Sequence, residues 1–160
     1  MLCSHNTVLI NRSIEDVYDF IAVGFFENYQ KWSPEVCELE QLTCGEMRVG
    51  VTGRQVRYDR GYRSEAYFRV TAMRPLRELR FTSLSKPDFD VCYLFEPAAA
   101  ATRLTFDFQL RAPLMMLPLH SLIEDIIEQG GRRVVTNLQT LLETDAAAVT
   151  AGAAYGQAPG

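Results

Sequence analysis

The chain has 160 residues, of which 48% are hydrophobic and 22% charged, and it carries a formal net charge of −4. This length and balance predict one globular domain with a substantial core. The negative charge argues against a nucleic-acid partner and against binding to an anionic membrane surface.

The cysteines and histidines predict no metal site. The four cysteines of the chain form no C-x-x-C pair, and the chain has two histidines. A zinc site needs clustered ligands of these types. We therefore expect no bound metal, and free, mostly buried thiols in a reducing compartment. The sequence contains no glycine-rich phosphate loop, so we also expect no cofactor. The residues concerned are Cys3, Cys37, Cys44, Cys92, His5 and His120.

No segment has the pattern of a membrane or export signal. The N-terminus lacks a basic stretch followed by an apolar one. No apolar run approaches the roughly 20 residues that span a bilayer. We expect a soluble, cytoplasmic protein without membrane insertion, present as a monomer or a homodimer.

The first quarter of the chain predicts one strand and two short helices. Residues 6–10 are β-branched and apolar, which favours a strand. Ser13 is a natural N-cap, with Asp16 as a weak capping-box partner, so a helix follows. Gly24 ends that helix, and a second short helix is expected over 25–29.

The middle of the chain predicts a run of strands. Turn-rich breaks at hairpin spacing separate the segments, which indicates an antiparallel meander. The predicted strands are 35–43, 48–58, 61–74, 77–85, 88–97 and 102–111.

Alternation within these strands gives the sheet one apolar face and one charged face. Glu65, Arg103 and Asp107 fall on the charged, outward face. The inward positions are mostly aromatic, and they carry no obvious Asp, Glu or His. The polar candidates on the inward face are Tyr62, Ser64, Ser83, Tyr93 and, if its strand keeps register, Gln55.

A long amphipathic helix is predicted over 119–143. Ser121 and Glu124 form a capping box at its start. Leu122, Ile126, Ile127, Val134, Leu138, Leu141 and Leu142 form its apolar stripe.

The pair Gly130-Gly131 interrupts this helix. Each glycine costs about 1 kcal/mol relative to alanine. Close packing against a strand, a kink, or room for a ligand would offset that cost. The Ala/Gly-rich residues 146–160 are expected to form a disordered tail after a domain spanning 1–145.

This element order resembles the helix-grip fold of the START-like (SRPBCC) superfamily, which includes polyketide cyclase/dehydrase-like proteins. The matching stretches are 12–21, at the entry to the first helix, 29–34, around Trp32, and 137–143, at the close of the last helix. The resemblance implies an α+β fold. In it, a curved antiparallel sheet wraps around a long C-terminal helix, with two short helices after the first strand.

The resemblance also implies a cavity between the sheet and the last helix. We expect it to bind a hydrophobic small molecule, lipid-like or polyketide-like. The expected ligand-binding residues are Tyr62, Ser64, Phe68, Phe81, Tyr93, Phe106, Phe108, Ile126, Gly130 and Val134.

Three alternatives remain open at this point. The first is a polyketide cyclase or dehydratase acting in the same cavity, so whether the protein is an enzyme is undecided. The second is a regulatory module with no fixed ligand. The third is that the aromatic side chains simply fill a core. We expect His120 to have a capping or surface role rather than a catalytic one. Residues 114–119 form either a buried linker or a mobile lid or dimer contact.

Overall fold

This computed structural model describes the backbone of residues 1–155 and the side chains of residues 1–144. The strands are β1 (Leu2–Ile10), β2 (Val36–Gln41), β3 (Thr52–Asp59), β4 (Tyr62–Arg74), β5 (Glu78–Ser83), β6 (Asp88–Ala98) and β7 (Ala101–Arg111). The helices are α1 (Ile14–Tyr18), α2 (Phe25–Trp32) and α3 (His120–Tyr155), with a π-helical turn at Asp19–Val23 and a 3-10 turn at Leu114–Leu119.

All the strands form one antiparallel sheet, in the order β1-β7-β6-β5-β4-β3-β2. The predicted meander is confirmed, because β2 to β7 pair in sequence order. The β4–β5 register shifts between Val70 and Ala72, and such irregularities bend a strand. Strand twist and this bend make the sheet curved, and the predicted helix-grip fold is confirmed.

The first helical segment forms as the sequence predicts. The Ser13 hydroxyl accepts a hydrogen bond from the backbone N–H of Asp16 at 3.2 Å. After the π-helical turn, Gly24 separates this segment from α2. The second helix is longer than predicted, because Trp32 is still helical and is 1% exposed in the core.

Three predicted element starts are wrong. Strand β3 begins at Thr52 rather than residue 48, because Val49 and Gly50 form a turn before it. Strand β1 begins at Leu2 rather than residue 6, because β7 pairs with it from the Leu2↔Leu110 position onward. The predicted capping box at Ser121 and Glu124 does not start α3. The preceding 3-10 turn leads directly into the helix through His120, whose backbone is already helical.

Helix α3 is buried unevenly along its length. From residue 120 to Gly130 none of its residues is buried, and Leu122, predicted on the buried stripe, is 46% exposed. From Gly131 onward, buried residues recur every three or four positions, as one helical face requires. They are Gly131, Val135, Leu138 and Leu142.

Polar contacts fix this second part of α3 to the N-terminal elements. The Asn137 side-chain amide donates to the backbone oxygen of Trp32 at 3.0 Å. The Gln139 side-chain amide donates to the backbone oxygen of Leu9 at 2.9 Å. The Arg12 guanidinium donates to the backbone oxygen of Leu142 at 2.7 Å. The helix is therefore anchored at its later turns.

The two adjacent glycines of α3 serve different purposes. A Cβ on Gly131 would lie 2.1 Å from the Ser4 hydroxyl and 2.4 Å from the Asn6 side-chain nitrogen on β1. A Cβ on Gly130 would meet no atom within 4 Å. Gly131 is thus offset by close packing against a strand, whereas Gly130 faces open space.

Three further expectations concern the termini and the thiols. Helical backbone reaches Tyr155, whereas the sequence predicts a disordered tail from 146. Residues 156–160 and the side chains of 145–155 lie outside the described residues, so the boundary at 145 and the tail stay predictions. The expectation of mostly buried thiols is wrong: Cys92 is buried, while the other three cysteines are exposed on edge strands or a loop.

Burial raises the pKa of the Cys92 thiol to about 11.

No helix in the described part of the chain is both long and apolar enough to cross a bilayer. A cytoplasmic location and the oligomeric state stay predictions.

The glycine pair gives the first testable prediction. Gly131→Ala should destabilise the fold by about 1–3 kcal/mol, because its new methyl group overlaps Ser4 and Asn6. Gly130→Ala should be neutral or stabilising by up to about 1 kcal/mol, because alanine favours the helix and has room. Urea unfolding of both variants measures the difference, and equal effects would contradict this account of α3.

Candidate functional site

A cavity of about 260 Å³ lies between the sheet and the first part of α3. Its walls are mostly apolar, as in small-molecule sites generally. On the sheet side it is lined by Phe89, Val91, Tyr93, Phe106, Phe108 and Leu110, and on the helix side by Ile123, Ile126, Ile127, Gly130 and Val134. The space lies where α3 is not buried against the sheet, and Gly130 adds no side chain to it.

Charged side chains also line this cavity, and they are paired. The Arg57 guanidinium donates to both carboxylate oxygens of Asp59, at 2.8 and 3.1 Å. Arg133 on α3 lies 3.1 Å from the Glu35 carboxylate, which precedes β2. The Arg57–Asp59 pair is partly buried, and so is Glu35, whereas Arg133 is exposed. The paired charges balance each other, so this part of the wall favours neither an anionic nor a cationic ligand.

A second, smaller space of about 20 Å³ adjoins the cavity. It shares with the cavity Tyr29, Gln55, Phe89, Val91 and Tyr93. Its other walls are aromatic rings of the core: Phe25, Phe68 and Phe81.

Polar atoms of the small space are deeply buried. Gln55 is 7% exposed, and its side-chain oxygen Oε1 is buried with no hydrogen-bond partner. The Tyr93 hydroxyl accepts a hydrogen bond from the indole N–H of Trp32 at 3.3 Å. Burial raises the pKa of both Tyr93 and Tyr29. Both hydroxyls therefore keep their protons near neutral pH.

A family model described as "Polyketide cyclase / dehydrase and lipid transport" matches residues 1–143. The chain belongs to this family. No curated protein matches the chain significantly. The family description covers both catalysis and transport, so membership alone does not assign a reaction.

Several solved structures have a fold similar to that of this member of the polyketide cyclase and lipid-transport family. A protein from Thermus thermophilus is 16% identical with a TM-score of 0.72, covering 89% of this chain and 98% of that one. A START superfamily protein from Mycobacterium smegmatis is 15% identical with a TM-score of 0.71, covering 89% and 97%. The Zhui aromatase/cyclase from Streptomyces sp. R1128 is 18% identical with a TM-score of 0.70, covering 88% and 93%. At such identities these matches establish the fold alone, and the START-like resemblance is confirmed.

In the present chain, most of the predicted ligand-binding residues lie together around the cavity. Those lining the cavity are Ser64, Tyr93, Phe106, Phe108, Ile126, Gly130 and Val134. Phe68 and Phe81 line the small space instead, where both pack against Phe25. Tyr62 lines neither space and is 80% exposed at the start of β4. A binding role for any of these residues stays a prediction.

Sequence reasoning missed the charged pairs. Arg57 and Asp59 follow Gln55 at alternate positions of β3, so strand alternation puts all three on the same face. That signal was present in the sequence. Glu35 and Arg133 lie outside the strands, and their pairing has no signal in the sequence pattern.

Asp107 and His120 are placed as the sequence predicts, whereas Glu65, predicted to face outward, also borders the cavity. Asp107 contacts His5 on the outer face. Glu65 contributes to the cavity wall, but its carboxylate accepts hydrogen bonds from Arg54 at 3.1 and 3.3 Å. His120 lies at the start of α3, 3.9 Å from Glu124. In residues 1–144, no group of three His, Cys, Asp or Glu side chains is placed to hold a metal ion.

The segment before α3 is not the buried linker that one interpretation of its sequence favoured. Leu114, Met115 and Leu117 are 82%, 89% and 60% exposed. Its role as a lid or a dimer contact stays a prediction.

A comparison of two phenylalanines tests whether the cavity is empty space. Phe95 is fully packed against Tyr18 with ring centroids 5.1 Å apart, and it does not line the cavity. Phe95→Ala should cost about 3–5 kcal/mol of unfolding free energy, as in a filled core. Phe106→Ala should cost less, because part of its ring already faces the cavity. Urea unfolding without added ligand measures both, and an equal loss would indicate that Phe106 sits in a filled core.

Proposed function

We propose that the protein binds a hydrophobic small molecule in the cavity between its sheet and the first part of α3. The observation that carries this proposal is the cavity itself, about 260 Å³ lined mainly by aromatic and aliphatic side chains. A protein interior normally leaves few voids larger than a water molecule. This chain has enough aromatic side chains to fill a core, so a space of this size favours a bound molecule.

The paired charges support binding over reaction. General acid–base catalysis needs a side chain with a proton to exchange close to the substrate. The acids lining the cavity are Glu35, Asp59 and Glu65, and an arginine pairs with each of them. No histidine is among the cavity-lining residues that the structure describes. A cyclase or dehydratase would have to rely on tyrosine hydroxyls.

The alternative of a filled core is less well supported. A filled core would place α3 against the sheet along its whole length. Instead, the residues from 120 to Gly130 are exposed or only partly buried, and the cavity lies next to them. The fold thus favours a cavity that opens near α3 over a filled core.

Filling the cavity from Gly130 tests the proposal. Gly130→Leu should weaken binding of the neutral apolar dye N-phenyl-1-naphthylamine at least about tenfold, because the new side chain occupies the space that Gly130 leaves open. The dye's fluorescence on titration measures binding. Arg132→Leu adds the same side chain at an exposed helix position nearby and should leave binding unchanged.

Two results would contradict the proposal. One is the absence of dye binding to the natural protein. The other is the same affinity in the Gly130→Leu variant, with its fold confirmed by circular dichroism, because the dye would then bind elsewhere.

A further inference from the structure

The small space beside the cavity has the chemistry of a binding site for one hydroxyl group. We propose that it receives a single hydroxyl of a compact ligand whose ring system, of about two fused rings, occupies the main cavity. We call this space the hydroxyl niche; it is lined by Tyr29, Gln55 and Tyr93 together with the core rings named above. The inference rests on the proposed function and adds the chemical class of the ligand.

The side-chain oxygen of Gln55 lacks a hydrogen-bond donor. This Oε1 atom is buried without a hydrogen-bond partner. More than about 90% of buried polar groups in proteins have such a partner, and an orphan acceptor costs the free energy of its lost hydration. Gln55 borders both the niche and the cavity. A ligand that donates a hydrogen bond to Oε1 removes this cost.

Tyr93 supplies the matching donor. Its oxygen already accepts a hydrogen bond from Trp32, so its own proton remains for a second acceptor. A group that satisfies both the Gln55 oxygen and the Tyr93 proton must donate to the first and accept from the second. A hydroxyl does both, whereas a carbonyl oxygen only accepts and an ammonium only donates. The surrounding phenylalanine rings also disfavour a charged group.

The two volumes set the size of the ligand. A space needs roughly 10–15 Å³ to hold a water-sized group, and the niche has about 20 Å³. An apolar cavity of roughly 150 Å³ holds one benzene ring. The main cavity, at about 260 Å³, therefore suits two fused rings better than a long acyl chain. Phe89 and Phe108, stacked with centroids 5.9 Å apart, give it a flat aromatic wall.

The test compares two probes that differ by one hydroxyl. 2-Naphthol and naphthalene share the same ring system, and the protein is titrated into each in a calorimeter. The natural protein should bind 2-naphthol about tenfold more tightly than naphthalene, a difference of about 1.4 kcal/mol. The variant Gln55→Met keeps the length of the side chain and removes its acceptor. It should bind both probes with similar affinity.

Controls separate the niche from general effects. Gln109→Met makes the same substitution at an exposed position of β7 and should keep the tenfold preference. Gln55→Met should not lower the melting temperature, because it removes an orphan acceptor rather than a hydrogen bond. If it does fail to fold, Gln55→Leu replaces it.

Each outcome decides a different question. Equal affinities of the natural protein for both probes would overturn the niche, because a water molecule then suffices there, while the proposed binding of apolar molecules would stand. A preference that survives in Gln55→Met would also overturn it. If neither probe nor the apolar dye binds, the proposed function fails together with this inference.

Discussion

The close contact between α3 and β1 at Gly131 is the constraint on which the rest of the structure depends. No side chain larger than hydrogen fits there, because a Cβ would lie 2.1 Å from the Ser4 hydroxyl. Beyond this point Val135, Leu138 and Leu142 are buried, and Asn137 and Gln139 donate to backbone oxygens of α2 and β1. The helix is thereby fixed at its later turns, against the edge of the sheet where the chain begins.

The cavity follows from this one-sided attachment. Because the sheet curves, a helix held against its edge from Gly131 to Leu142 can separate from it over the preceding turns. The separation begins at Gly130, which adds no side chain, and continues past Ile126 and Ile127, which line the gap. One glycine therefore permits the contact that holds the helix, and its neighbour leaves open the space beneath it. The chain retains both despite their cost to helix stability.

The sequence predicted the sheet and most of the apolar wall because strand alternation and turn residues are local signals. Phe106 and Phe108 line the cavity as that alternation indicates. Of the three offsets suggested for the glycine pair, close packing against a strand is found at Gly131, while Gly130 borders the cavity. Tyr62 was misplaced because the inward face of β4 opens to solvent at its first residues, where alternation no longer implies burial. The capping box at Ser121 failed because a 3-10 turn already supplies the preceding helical backbone. The Glu35–Arg133 pair joins residues far apart in the chain, and no local pattern encodes such a contact.

The central claim is that the space beneath Gly130 is an apolar binding cavity and not a filled core. Crystals of the natural protein pressurised with xenon test it most directly, because xenon enters dry apolar cavities. We expect electron density between α3 and the rings of Phe106 and Phe108, from xenon or from an organic molecule retained through purification. Side chains packed against each other there, with neither kind of density, would contradict the account.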